Sequence, residues 1–245
     1  MKLLVLGGTG EARALAGALI DGGHEVVSSL AGRTREPLLP KGEVRVGGFG
    51  GVPGLIVYLR AQGFDHLVDA THPYAAAMSA QAVAAAAATG TPLLRLMRPA
   101  WPEPDGAGWI HVRDMDEATH ALPAGAHVLV TSGHAGLATL LHRGDCRFLI
   151  RLIEVPAEPL PGHARLLLDR PPYDIAAETD LLRSEAITHL ISKNSGGAQT
   201  QAKLDAARQC NVRVVMIDRP DIPPAREVAS VAAAVAALHE AGPRR

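Results

Sequence analysis

Short apolar runs alternate with alanine-rich stretches of helical length along most of the chain. Residues 2–6 form a nearly continuous apolar run, the pattern of a strand buried on both faces of a parallel sheet. Residues 11–20 read as a helix. Further strands are predicted over 25–30, 44–46, 66–70 and 92–96, and further helices over 53–60 and 74–88. Pro53 opens its helix, where a missing N–H costs little. Strands that alternate with helices in this way predict a parallel sheet covered on both faces.

The pattern breaks at MRPAWPEPDGAG, residues 97–108, which holds three prolines and two glycines. Such a stretch reads as a loop or a linker. Beyond it the alternation resumes. Strands are predicted over 110–113, 127–130, 148–153, 189–191 and 212–217, and helices over 115–121, 134–141, 175–185, 199–208 and 225–241. The apolar run 164–168 fits either type. The expected organisation is therefore an α/β domain over 1–98, a proline-rich linker over 99–108 and a second α/β domain over 109–245. Trp101 and Trp109 are expected to pack the junction, and ligands to bind where strand ends meet.

Composition narrows the function classes. The 24 Lys and Arg face 25 Asp and Glu, a formal charge of −1 that argues against a general nucleic-acid binder. Aromatic residues make up 3% of the chain, too few for a base-stacking platform. Cys146 and Cys210 cannot build a zinc cluster and are expected to be reduced. The histidines follow no metal-ligand spacing, so no bound metal is expected. The N-terminal apolar run ends at Leu6, and the alanine-rich stretch 75–88 is too short to span a bilayer. A soluble, cytoplasmic protein that binds neither membrane nor nucleic acid is expected.

Five junctions at predicted strand ends carry candidate chemistry. In LLVLGGTGEAR a strand runs into Gly7, Gly8, Thr9 and Gly10, and a helix follows at once. Glycines let the backbone approach a pyrophosphate, and the helix N-terminus offers unpaired N–H groups. The spacing is a variant of the dinucleotide fingerprint, because no third glycine follows at the usual place. No Gly-Lys-Ser or Gly-Lys-Thr follows, so a P-loop ATPase is excluded. The second strand ends in SSLAGR, residues 28–33, with two serines, no acid and Arg33. That chemistry suits the 2′-phosphate of NADPH better than the free ribose hydroxyl of NADH. DATHPYAAA, residues 69–77, brings Asp69, Thr71, His72 and Tyr74 to the end of the fourth strand. TSGHAG, residues 131–136, and SKNSGGAQTQAK, residues 192–203, are strand–turn–helix junctions of the second half. Arg219 follows the next strand. A Ser-Tyr-Lys dehydrogenase site is not supported, since Met78 rather than lysine stands four residues after Tyr74.

In GGTGEAR, the AGR after the second strand, DATHPYA, TSGHAG and KNSGG followed by DRP, the chain resembles the precorrin-6A reductase family of cobalamin synthesis. The resemblance spans nearly the whole chain. It implies two Rossmann-like α/β domains with mainly parallel sheets and a cleft between them. It also implies NADPH-dependent reduction of one double bond of the precorrin-6A macrocycle to give precorrin-6B. A branch of the family acts on the cobalt-bearing ring. On this reading Gly7, Gly8, Thr9, Gly10, Arg13, Ser29, Gly32, Arg33 and Thr71 hold the coenzyme. Ser132, Gly133, His134, Asn194, Ser195, Gly196, Thr200 and Arg219 face the polycarboxylate ring. His72, Tyr74 and Lys193 are candidates for handling the proton or orienting substrate. The substrate partner is precorrin-6A, with transient handover to neighbouring pathway enzymes. Another NADPH-dependent reductase and a non-catalytic nucleotide sensor are the rival readings.

Overall fold

The computed structural model describes residues 1–32 and 38–243. Arg33, expected at the coenzyme, lies outside the described residues. The chain divides into two compact units, one formed by residues 1–99 with 220–245 and the other by Ala100–Arg219.

The first unit contains β1 (Lys2–Leu6), α1 (Gly10–Asp21), β2 (Glu25–Leu30), β3 (Glu43–Val46), α2 (Gly51–Gln62), β4 (His66–Asp69), α3 (Ala76–Thr89) and β5 (Leu93–Leu96). Its sheet is completed from the far end of the chain by β12 (Arg226–Val228), and α8 (Val231–Ala241) follows. The order is β12-β5-β4-β1-β2-β3, and every pairing is parallel. The unbroken apolar run of β1 has a direct cause in this packing. Leu3 and Val5 pack with α1 and α8 on one face, while Leu4 and Leu6 pack with α2 and α3 on the other.

The second unit contains β6 (Ile110–Val112), α4 (Met115–Ala121), β7 (His127–Val130), α5 (Leu137–Leu141), β8 (Arg147–Leu152), β9 (Ala164–Leu168), α6 (Ile175–Ser184), β10 (His189–Lys193), a 3-10 turn (Ala198–Thr200), α7 (Ala202–Gln209) and β11 (Arg213–Ile217). The order β6-β11-β10-β7-β8-β9 is again all parallel. A core of Leu129, Leu149, Leu190 and Met216 lies against α6 and α7 and takes in Trp101.

Several boundaries differ from the sequence expectation. Residues 220–245 belong to the first unit, not to a domain running from 109 to the C-terminus. The stretch 99–108 is not a free linker. Trp101 is buried in the second core, its N–H donates to Asn194 Oδ1, and its indole Nε1 donates to the Gly197 carbonyl. The expected helix 225–241 is a short strand followed by a shorter helix. The run 164–168 is a strand. The helix expected from 134 begins at Leu137, because Gly136 first turns the chain through a left-handed conformation, φ 77°. A side chain there would collide with Met115. Cys146 and Cys210 are free thiols. No helix among the described residues is long and apolar enough to cross a membrane.

Candidate functional site

In the first unit the strand order reverses between β1 and β4. Ligands of open α/β sheets bind at the carboxyl ends of the strands beside such a point. The turn between β1 and α1 lies there. Gly7 N–H donates to the Ser29 carbonyl at 2.9 Å, which ties the turn to β2. Gly8 has φ 110°, a conformation that side chains rarely adopt. Thr9 caps α1: its Oγ1 accepts from Ala12 N–H at 3.0 Å and donates to the Ala70 carbonyl at 2.9 Å. The Thr9 hydroxyl thus fastens the turn to the end of β4 and is spent. Gly10 opens the helix and Arg13 stands half-buried in its second turn. Glu11, in the first turn, is neutralised by Arg98 at 2.7 Å. Glu11 and Arg98 line a shallow depression together with Thr9, Thr71, Pro73, Leu96 and Met97.

The end of β4 is held by a buried ion pair. Asp69 Oδ2 accepts from Arg95 Nε at 3.2 Å, and both side chains are almost completely buried. Asp69 Oδ1 accepts from the Thr71 hydroxyl at 2.7 Å and from the Thr71 N–H at 3.3 Å. Arg95 Nη1 also donates to the Pro223 carbonyl. Asp69 therefore shapes the loop rather than facing a ligand, and the Thr71 hydroxyl is committed to it. His72 and Tyr74 are half-buried and neighbours, with ring centroids 5.7 Å apart. Tyr74 N–H donates to His72 Nδ1 at 3.3 Å. That contact leaves Nε2 of His72 as the protonated nitrogen of the neutral ring.

Ser29 ends the inner part of β2 and is nearly buried. Its Oγ accepts from Arg45 Nη1 at 2.8 Å. Gly32 lies just beyond, so close to Val46 that a Cβ would come within 3.1 Å of its Cγ1. Sequence reasoning passed over Arg45. The available signal is a lone cation inside EVRV, in the short strand expected over 44–46.

In the second unit the order reverses between β7 and β10. Ser132 follows β7, and its Oγ is buried without a hydrogen-bond partner. Gly133 and the exposed His134 come next. Lys193 at the end of β10 is half-buried, and Asn194, which follows it, is nearly buried. Both ends of the Asn194 amide are used on Trp101: Oδ1 accepts from its N–H and Nδ2 donates to its carbonyl. Arg219 Nε and Nη2 donate to the carbonyls of Asn194 and Ser195. These two expected substrate residues therefore build the Ser195–Gly196 turn. Thr200 lies in the 3-10 turn that follows.

A second residue missed in the sequence is Lys203 of α7. Its Nζ donates to Thr131 Oγ1 at 3.0 Å, and Thr131 Oγ1 donates in turn to the Ile191 carbonyl. Burial pushes the Lys203 ammonium down to about 7, with the Arg151 charge acting in the same direction and Glu178 opposing it. Arg151 and Glu178 form a buried two-point pair at 3.0 and 2.7 Å. Nothing in the polar stretch AQTQAK marks Lys203 as interior.

A parallel α/β unit with a glycine turn between its first strand and first helix places the chain in the Rossmann-like class of α/β folds. The family model for precorrin-6x reductase CbiJ/CobK matches residues 2–239, and the chain belongs to that family. It is 49% identical over 238 residues to a precorrin-6A reductase of Rhodococcus erythropolis, covering 96% of each chain. It is 46% identical to a precorrin-6A reductase of Rhodobacter capsulatus, covering 99% of this chain and 98% of that one. A solved structure titled CobK precorrin-6A reductase superposes with a TM-score of 0.94 at 44% identity, covering 100% of this chain and 98% of that one.

Proposed function

We propose that the protein transfers hydride from NADPH to precorrin-6A in the cytoplasm, giving precorrin-6B. The observation that carries this reading is near-half identity, along almost the whole of both chains, to proteins named precorrin-6A reductase. The same likeness favours the cobalt-free ring over the cobalt-bearing one. The absence of an acid in SSLAGR supports NADPH over NADH.

The first unit fits a dinucleotide. Ala12 N–H goes to the Thr9 hydroxyl, and Arg13 N–H is bonded to the Thr9 carbonyl. The amides before them are the ones a helix start leaves for an anion. Among the described residues, a Cβ at Gly8 would meet nothing within 4 Å. Bound NADPH supplies the hydride. The chain's own task is to position and to exclude water. Gly7, Gly8 and Gly10 hold the pyrophosphate, with Thr9 fixing the turn and Arg13 beside it. Ser29, Gly32 and Arg33 receive the adenosine end. Thr71 to Tyr74 line the nicotinamide–substrate junction. In the second unit Lys193, His134, Ser132 and the amides near Gly133 and Gly196 face the carboxylates of the ring. Asn194 and Arg219 hold that turn in shape, with Ser195 and Thr200 along it. His72, Tyr74 and Lys193 orient the ring or hand over a proton.

The test is anaerobic turnover of purified protein with NADPH and precorrin-6A, read by loss of reduced-nicotinamide absorbance and by product mass. NADH and cobalt-precorrin-6A are run in parallel. A product heavier by two hydrogens, formed faster with NADPH, is expected. Turnover of the cobalt ring alone would reassign the substrate, and silence with both rings would overturn the reductase reading.

A further inference from the structure

We propose that Arg45 determines coenzyme specificity, its guanidinium taking the phosphate on the adenosine ribose that distinguishes NADPH from NADH. The proposal rests on the NADPH reading above. It begins with register: β2 and β3 are parallel, and Ser29 is paired with Arg45. The neighbouring strand thereby delivers a cation to the end of β2, where SSLAGR supplies no acid. The guanidinium is fixed before any ligand arrives. Nη1 donates to Ser29 Oγ at 2.8 Å and to the Gly47 carbonyl at 2.9 Å, and Nη2 donates to the Gly48 carbonyl at 3.1 Å. The central carbon stands 3.8 Å from the Phe49 ring centroid and 5.3 Å from that of Tyr58. One face is thereby covered by aromatic surface.

Such a residue still has binding capacity. A guanidinium carries five N–H groups, and these bonds use three of them, leaving Nε and one Nη2 donor. All three acceptors are neutral. Among the described residues no carboxylate pairs with Arg45, so its charge is not cancelled locally. Ser29 accepts from Arg45 and so keeps its own hydroxyl proton to donate. A fixed fork beside a serine hydroxyl is the donor set that phosphate dianions select. Val46, the next residue on β3, is 60% exposed, and its Cγ1 stands 3.1 Å from where a Cβ of Gly32 would lie.

A purely structural role for Arg45, holding the Gly47–Gly48 turn, predicts different data. The test compares the unmodified protein with Arg45→Met, which keeps the stem over Phe49, and Arg45→Lys, which keeps the charge. Dissociation constants for NADPH and NADH are measured by titration on each full-length protein. Arg45→Met is expected to weaken NADPH by about tenfold to a hundredfold while NADH changes by less than about threefold. Arg45→Lys is expected to recover part of the loss. Equal loss for both coenzymes, without recovery by lysine, would overturn the proposal in favour of the structural role. Retained NADPH preference in Arg45→Met would overturn it while leaving the NADPH reading intact. An unmodified protein that binds both coenzymes equally would overturn both. Should Arg45→Met fail to fold, Arg45→Lys alone decides: a selective loss of NADPH supports the assignment, and an unchanged ratio overturns it.

Discussion

Lys203 concentrates the energetic cost of the second unit in one atom. Its Nζ is buried and donates to the Thr131 hydroxyl at 3.0 Å, and the neighbouring Arg151 charge opposes protonation. The folded state therefore holds this proton less tightly than the unfolded chain, about 7 against the ordinary 10.5. Between those two values the unfolded chain carries the extra proton, so stability rises with pH by about 1.4 kcal/mol per unit. Below about 7 both states are charged and the penalty is complete. Lys203→Met should remove that slope and raise stability at neutral pH. Urea unfolding at pH 7, 8 and 9 checks it, and a variant that keeps the wild-type slope would refute the buried charge. Residue-scale roles were the least legible in the sequence. Thr9, Thr71 and Asn194 have the residue type and position expected of ligand groups, and each hydroxyl or amide also makes hydrogen bonds within the fold. Polar type marks a junction. It does not say whether the side chain faces the ligand or braces the turn, because that depends on which carbonyl or amide the neighbouring strand brings close.

Between elements, β4 and β5 are joined by more than ladder hydrogen bonds. Asp69 and Arg95 are opposite each other in the register and form a buried pair. Asp69 also holds Thr71, so one carboxylate links the sheet to the DATHPYA loop. Removing one member of a buried pair strands the other's charge, which typically costs about 3–5 kcal/mol. Asp69→Asn should lose part of that in denaturant unfolding, since Glu227 Oε2 stays 3.9 Å from Arg95 Nη1, and also weaken coenzyme binding through the released loop. A loss below about 1 kcal/mol would mean that Arg95 finds other acceptors. The elements themselves were largely legible. The strand over 2–6 and the helix over 115–121 have the expected bounds, since each is set by a local apolar pattern. Strand β12 was not legible. Arg226 and Glu227 are exposed, and the segment is a strand only because β5 offers it a parallel edge.

Across the whole molecule the two sheets share one order, and the sixth strand of the first sheet comes from the far end of the chain. Strand β6 follows β5 yet joins β11, and β12 follows β11 yet joins β5. The chain passes from the first unit to the second and back again. No local pattern encodes this, because either edge would satisfy a three-residue strand. The arrangement makes the first unit depend on the last residues. Ala234, Ala237 and Leu238 of α8 are buried with Leu15, Leu19, Leu94 and Leu96. A chain ended after Arg219 would leave β5 an open edge and uncover that apolar face. The second unit would keep all six of its strands. Hydrogen exchange on the truncated chain should therefore show β5 amides losing protection while β7 and β10 keep theirs. Loss in both units alike would mean that they fold as one cooperative body, and unchanged β5 protection would mean that the first sheet is stable without its borrowed edge. The contrast between the sheets carries the test, because general destabilisation by truncation would not spare β7 and β10.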